Sequence, residues 1–207
     1  MLGPLEVRTD DTATASVGGA RLRALLTLLA LEPGRVVSSD RLIDGIWEDD
    51  PPMGAANALQ ALVSRLRRVL PGVEVESHPA GYRLAIEPEA VDVARFERLV
   101  AAGRSALPED AARAARILSE ALDLWRGPAL LDVASADVFR APVARLSELR
   151  MAALEDRIEA DLRLGRGPEL TSELTSLVAE HPLRERMLGA LMRALVSAGR
   201  PAAGLSV

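Results

Sequence analysis

The sequence predicts a mainly α-helical protein with a small β component, built in two parts. Three observations carry this. Up to about residue 90, short alternating runs lie between amphipathic helical segments. From Val91 onward the periodicity is helical only. In that second part, Gly165-Arg166 and Gly199-Arg200 recur at an offset of 34 residues, the period of a TPR-type helix pair. The expected domains are therefore 1–90, mixed, and 91–207, an all-α TPR-like array.

The first part reads in order. LGPLEVR (Leu2 to Arg8) is a short strand, and TATASVGG (Thr12 to Gly19) alternates weakly into a glycine turn. ARLRALLTLLALEPG (Ala20 to Gly34) places Leu22, Leu25, Leu26, Leu29 and Ala30 at helical spacing, and Pro33-Gly34 stops the helix. RVV is one strand. SSDRLIDGIW (Ser38 to Trp47) opens with a serine cap and carries Asp40 in its first turn, where the helix dipole favours negative charge. EDDPP breaks that helix. NALQALVSRLRRVL (Asn57 to Leu70) is the next one, and VEVESHPAGYRLAI (Val73 to Ile86) is a hairpin around His-Pro-Ala-Gly. A helix, a break, an arginine-bearing helix and a hairpin follow one another as in a winged helix-turn-helix. In that design the third helix enters the major groove and the hairpin reaches the adjacent minor groove.

In the second part, VDVARFERLVAAGRSAL is one helix. PEDAARAARILSEALDLWRG is another, bounded by Pro108 and Gly127-Pro128. PALLDVASADVFRAP is irregular. A long helix runs through Leu146, Leu149, Leu154, Ile158 and Leu162 to Gly165, and two more occupy roughly 168–180 and 183–198.

The 207 residues carry a net charge of -5, and residues 1–90 hold nine Arg against thirteen Asp and Glu. All 25 basic residues are Arg, and three of them crowd into positions 65–68, with no acidic residue from Pro51 to Val73. On a helical wheel with Leu59 at zero, Leu62, Val63, Leu66, Val69 and Leu70 fall between about 280° and 40°. Asn57, Gln60, Ala61, Ser64, Arg65, Arg67 and Arg68 fall between about 80° and 240°. One face is core. The other is short polar side chains among guanidiniums that can reach phosphates or fork onto guanine, with amides that suit adenine. An acidic protein that binds DNA must gather positive charge at its contact surface. Arg83, beside Gly81 and Tyr82, stands where a wing arginine would sit.

Other chemistry has little support. There is no cysteine, which excludes disulfides and thiolate metal sites and fits a reducing cytoplasm. Only His78 and His181 are present, far apart, so no metal, cofactor or catalytic residue is expected. Aromatics are 2%, too few for base-stacking platforms. MLGPLEVR has no signal-peptide pattern, and the apolar run Leu22 to Leu31 is about half a membrane span. A cytoplasmic protein with no membrane partner is the expectation. Glu155-Asp156 and Glu159-Asp161 read as solvated helix surface, with Arg157 and Arg163 as partners.

Several separated stretches carry a family resemblance. LGPLEVR, ALLTLLALEPGRVVSSDRLIDGIWEDDPP, NALQALVSRLRRVL and AGYRL resemble the OmpR-type winged helix at the head of the AfsR/SARP transcriptional activators. RFERLVAAGRSAL, ALDLWRGPALLDV, LRMAALEDRIEADLRLGR and ELTSLVAEHPLRERMLGALMRALVSAGR resemble the bacterial transcriptional activator domain that follows it. The resemblance implies a double-stranded-DNA-binding activator of a biosynthetic gene cluster, often for a secondary metabolite such as an antibiotic. It implies promoter direct repeats as the site, RNA polymerase as partner and a homodimer on DNA. By the same resemblance Asn57, Gln60, Ser64, Arg65, Arg67 and Arg68 match the recognition helix and Arg83 the wing. Glu48, Asp49 and Asp50 match the loop through which OmpR-type proteins touch polymerase. The alternative is a TPR-like protein-interaction scaffold whose winged helix no longer binds DNA. The family pattern continues beyond GRPAAGLSV. Residues 200–207 are therefore expected to fray or dock loosely, leaving Leu191, Leu195 and Val196 as an exposed strip, so that the protein self-associates through this end or needs more chain in its native form.

Overall fold

The computed structural model describes residues 1–8, 14–15, 17–70 and 72–199. The chain divides into two compact units, Met1–Phe96 with Leu124–Ser147, and Glu97–Asp123 with Glu148–Val207. The packing therefore interleaves across residue 91, where the sequence turns wholly helical.

In the first unit β1 (Val7–Arg8) and β2 (Thr14–Ala15) form a two-stranded antiparallel ribbon. The strand expected over Leu2 to Arg8 is this short because Gly3-Pro4 interrupts it. Upstream of that break, Met1 and Leu2 are buried, and their carbonyls accept from Leu130 N–H at 2.9 Å and Arg126 N–H at 2.7 Å. Helix α1 (Ala20–Ala30) is buried along nearly its whole length, as its unbroken leucine run requires. Strand β3 (Val36–Ser38) leads into α2 (Ser39–Trp47), and Ser38 Oγ caps α2 by accepting from Arg41 N–H at 3.3 Å. Helix α3 (Ala55–Val69) follows, then the hairpin of β4 (Glu74–His78) and β5 (Gly81–Ala85). The sheet order is β3-β5-β4, antiparallel throughout. Val37, Val75 and Leu84 bury its inner face. Three helices on a small sheet with a terminal hairpin make a winged helix.

Residues 124–147 complete this unit. Phe139 is fully buried, Trp125 meets Phe96 edge to face at 5.3 Å, and Leu5 N–H donates to Asp132 Oδ2 at 2.6 Å. A short 3-10 turn, Asp137–Phe139, lies at α2, where Val138 and Leu28 close around Gly45.

The second unit is helical. It takes the later part of α4 (Asp92–Ala106), all of α5 (Ala111–Asp123), the later part of α6 (Arg140–Arg163), then α7 (Gly167–Glu180) and α8 (Glu185–Ser197). Ile158, Leu170, Leu174, Ala190, Leu191, Ala194 and Leu195 form one core cluster. The offset of 34 has a structural counterpart. Gly165 and Gly199 each follow a helix end, with φ +77° and +73°, the left-handed conformation that terminates helices at glycine.

Two expectations fail here. Leu191 and Leu195 are buried against α6 and α7, and only Val196, with Met192, stays exposed. The frayed end expected at 200–207 lies outside the described residues. Glu155, Asp156 and Asp161 are buried rather than solvated. Glu155 and Asp156 accept from Arg186 at 2.9 and 2.8 Å, Asp156 from Arg104 at 2.6 Å, and Asp161 from Arg166 at 2.9 Å. The partners on α8 are about thirty residues away in sequence, beyond what helical spacing can show. Asp156 and the other nearby carboxylates hold the Arg186 pKa above its ordinary value, against the opposing effect of burial.

Candidate nucleic-acid interface

Leu59, Val63 and Leu66 anchor α3 in the core, and this fixes which face looks outward. Asn57, Gln60, Ala61, Ser64, Arg65, Arg67 and Arg68 are all exposed. Ala61 and Ser64 keep the backbone accessible between the longer side chains, so the face can approach a groove closely.

The arginines differ in their commitments. Arg65 has no hydrogen-bond or ion-pair partner among the described residues. Among the described residues, Arg68 makes only a long 3.4 Å bond from Nε to the Ser64 carbonyl on its own helix. Arg67, at the edge of the polar arc, is tied to the hairpin: Nε donates to the Val75 carbonyl at 2.8 Å and a terminal nitrogen to Ser77 Oγ at 2.9 Å. Arg83 lies mid-strand on β5 opposite Glu76 on β4, and its Nε donates to Glu76 Oε2 at 2.8 Å. The structure thus gathers Asn57, Gln60, Ser64, Arg65 and Arg68 on one open surface. Arg67 and Arg83 sit beside it with their guanidiniums engaged within the protein. Sequence reasoning could find the surface from periodicity, but both engagements are made across the fold to the hairpin.

Between α2 and α3, Glu48, Asp49 and Asp50 are exposed as a turn, and Met53 next to them is fully exposed. Glu48 is not free. Its Oε1 accepts from the Asp137 backbone N–H at 2.7 Å. Neither Met53 nor Asp137 is singled out by any motif.

Among the described residues, no group of three His, Cys, Asp or Glu side chains could hold a metal ion, and no helix is long and apolar enough to cross a membrane.

Two family models match the chain: the bacterial transcriptional activator domain over residues 91–207, and the transcriptional regulatory protein C-terminal domain over 17–84. The regulatory protein DnrI of Streptomyces peucetius is 38% identical over 217 residues, covering 99% of this chain and 79% of DnrI. The transcriptional regulator RedD of Streptomyces coelicolor is 39% identical over 208 residues, covering 97% of this chain and 59% of RedD. Among solved structures, Mycobacterium tuberculosis EmbR, determined in complex with a low-affinity phosphopeptide, superposes with a TM-score of 0.92 at 33% identity over 99% of this chain and 56% of that one. The chain thus spans a little over half the length of RedD and of the EmbR chain. With a winged helix leading into a helical activator domain, and these relatives along almost its full length, the chain belongs to the SARP family of bacterial transcriptional activators.

Proposed function

We propose that the protein is a sequence-specific double-stranded-DNA-binding activator that places α3 in the major groove of promoter direct repeats, as a homodimer on DNA, and recruits RNA polymerase. In this reading residues 1–90 supply DNA recognition and 91–207 the activator part, the work is done in the cytoplasm, and the target is a secondary-metabolite gene cluster. The observation that supports it most is the open face of α3, where Arg65, with no partner among the described residues, stands beside Asn57, Gln60, Ser64 and Arg68 in a protein of net charge -5. An acidic protein that binds DNA needs such a face to neutralise phosphates where the two meet. Arg65 and Arg68 would make phosphate or guanine contacts, and Asn57 and Gln60 adenine contacts. Asp49 and Asp50 would repel phosphate, and are assigned to polymerase.

Two observations favour the scaffold reading: Arg67 and Arg83 are already engaged internally, and residues 1–90 carry nine Arg against thirteen acids. Protection mapping upstream of the host gene cluster separates the two. The activator reading predicts protected direct repeats, lost in the Arg65→Ala/Arg68→Ala variant. No protection by the unaltered protein at any promoter of the cluster would leave the scaffold.

A further inference from the structure

Glu48 shares an acidic turn with Asp49 and Asp50, but its surroundings set it apart. It adopts φ +51°, ψ -125°, a conformation that side chains other than glycine rarely hold. Its backbone N–H closes α2 on the Asp44 carbonyl at 2.8 Å, and its carboxylate turns to the Asp137 N–H at 2.7 Å. That amide has no other partner among the described residues, since it opens the 3-10 turn Asp137–Phe139. The turn is itself seated on α2. Phe139 is fully buried, and a Cβ built on Gly45 would lie 3.4 Å from Val138 Cγ2 and 2.8 Å from Leu28 Cδ1. Residues 137–139 belong to the stretch matched by the activator-domain family, yet they pack in the same unit as the winged helix.

We propose that Glu48 is a positioning residue: its hydrogen bond to Asp137 locks the strained end of α2 and so sets the direction in which Asp49, Asp50 and Met53 project. The partner-facing surface of the turn is then Asp49, Asp50 and Met53, without Glu48. This rests on the reading that the turn meets polymerase. A charge-assisted bond to a backbone amide holds a strained turn that would otherwise relax. The bond also makes the geometry of the turn depend on residues 124–147.

The interaction can be removed from either side. Glu48→Ala deletes the acceptor, while Glu48→Gln keeps an oxygen at the same place. Asp137→Pro deletes the donor. Proline suits the first position of a helical turn, and Ala136, at φ -81°, ψ 138°, already has the extended backbone that a residue before proline needs. Asp137→Asn keeps the amide and controls for the exposed Asp137–Arg140 ion pair.

Amide hydrogen exchange at Glu48 and Asp50 is measured on the full chain, beside promoter binding and transcription with purified RNA polymerase. Glu48→Ala and Asp137→Pro are each expected to raise exchange by roughly tenfold or more, as loss of one charge-assisted bond implies. The double variant should be no faster than either single one, and Glu48→Gln and Asp137→Asn should stay near wild type. Promoter affinity should hold throughout while activated transcription falls with the exchange change. Unchanged exchange in both Glu48→Ala and Asp137→Pro, or additive effects in the double variant, overturns the proposal. Faster exchange with full transcription, in these variants and in Asp49→Ala/Asp50→Ala alike, supports the lock and overturns the polymerase reading beneath it.

Discussion

Arg65 and Arg67 are two residues apart on one helix, yet replacing them should give opposite signatures. Arg65 has no partner among the described residues, so Arg65→Ala should change folding stability by less than about 0.5 kcal/mol. Its effect should fall on DNA: about 1–3 kcal/mol of specific affinity if the lost contact is bidentate to a base. If the contact is to phosphate alone, affinity for all sequences should drop and the slope of log K against log salt should flatten by roughly one unit. Arg67 joins α3 to β4 through bonds of 2.8 and 2.9 Å. A bond with a charged donor contributes about 1.5–3 kcal/mol when buried. Because Arg67 is exposed, solvent screening reduces the pair to about 1–2 kcal/mol. For a protein of this size that lowers Tm by about 2–8 °C. Arg67→Lys should not restore it, because a point ammonium cannot span both acceptors as the planar fork does. Arg67→Ala should also weaken binding by loosening the hairpin against α3, with the salt slope unchanged. Thermal melts and fluorescence-anisotropy titrations at several salt concentrations measure both quantities. An Arg67→Ala variant with unaltered Tm and a flattened slope would refute this division of labour.

Other consequences are equally open to measurement. Asp49→Ala/Asp50→Ala should leave operator affinity equal or slightly tighter and lower transcription in a purified system; full transcription would reduce the turn to solvated surface. A Cβ at Gly81 would overlap the Val37 carbonyl oxygen and come within 2.8 Å of Ser38 Cα, so Gly81→Ala should cost about 3 kcal/mol in a denaturant titration, and a loss under about 1 kcal/mol would contradict the packing of β3 on β5. The Glu159 pKa is held below its ordinary value, first by its bond from Arg193 at 2.6 Å and also by Arg163 at 3.0 Å, against the opposing effect of burial. A depressed carboxyl pKa stabilises the fold above the unfolded-state pKa, near 4.5, and that contribution is lost as pH falls through the folded value. Glu159→Gln should therefore cost about 1 kcal/mol at neutral pH, with the gap to wild type closing as pH falls below the unfolded-state value of 4.5 and through the lower folded one; a gap independent of pH would show that the pairs contribute nothing.

What could be read from the sequence followed the range of each signal. The two faces of α3 were legible because amphipathic spacing is local, and Leu59, Val63 and Leu66 fall inward as the wheel requires. The Ser38 cap and the hairpin were legible for the same reason. The placement of residues 124–147 was not, since PALLDVASADVFRAP has no periodicity and its partners, Met1 and Leu5, lie over a hundred residues away. Charge patterns misled where burial is tertiary. Glu155 and Asp156 resemble a solvated face until Arg186 of α8 arrives to neutralise them. The site was legible as a surface but not as a set of free groups, because the engagements of Arg67, Arg83 and Glu48 cross from one element to another.

Whether this acidic chain binds DNA through the exposed face of α3 can be decided by titrating the full protein against a promoter duplex carrying the direct repeats, across a range of salt. Specific binding should weaken steeply with salt, with a slope shallower by up to about two units for Arg65→Ala/Arg68→Ala. Promoter affinity and salt slope unchanged in that double variant would contradict binding through this face.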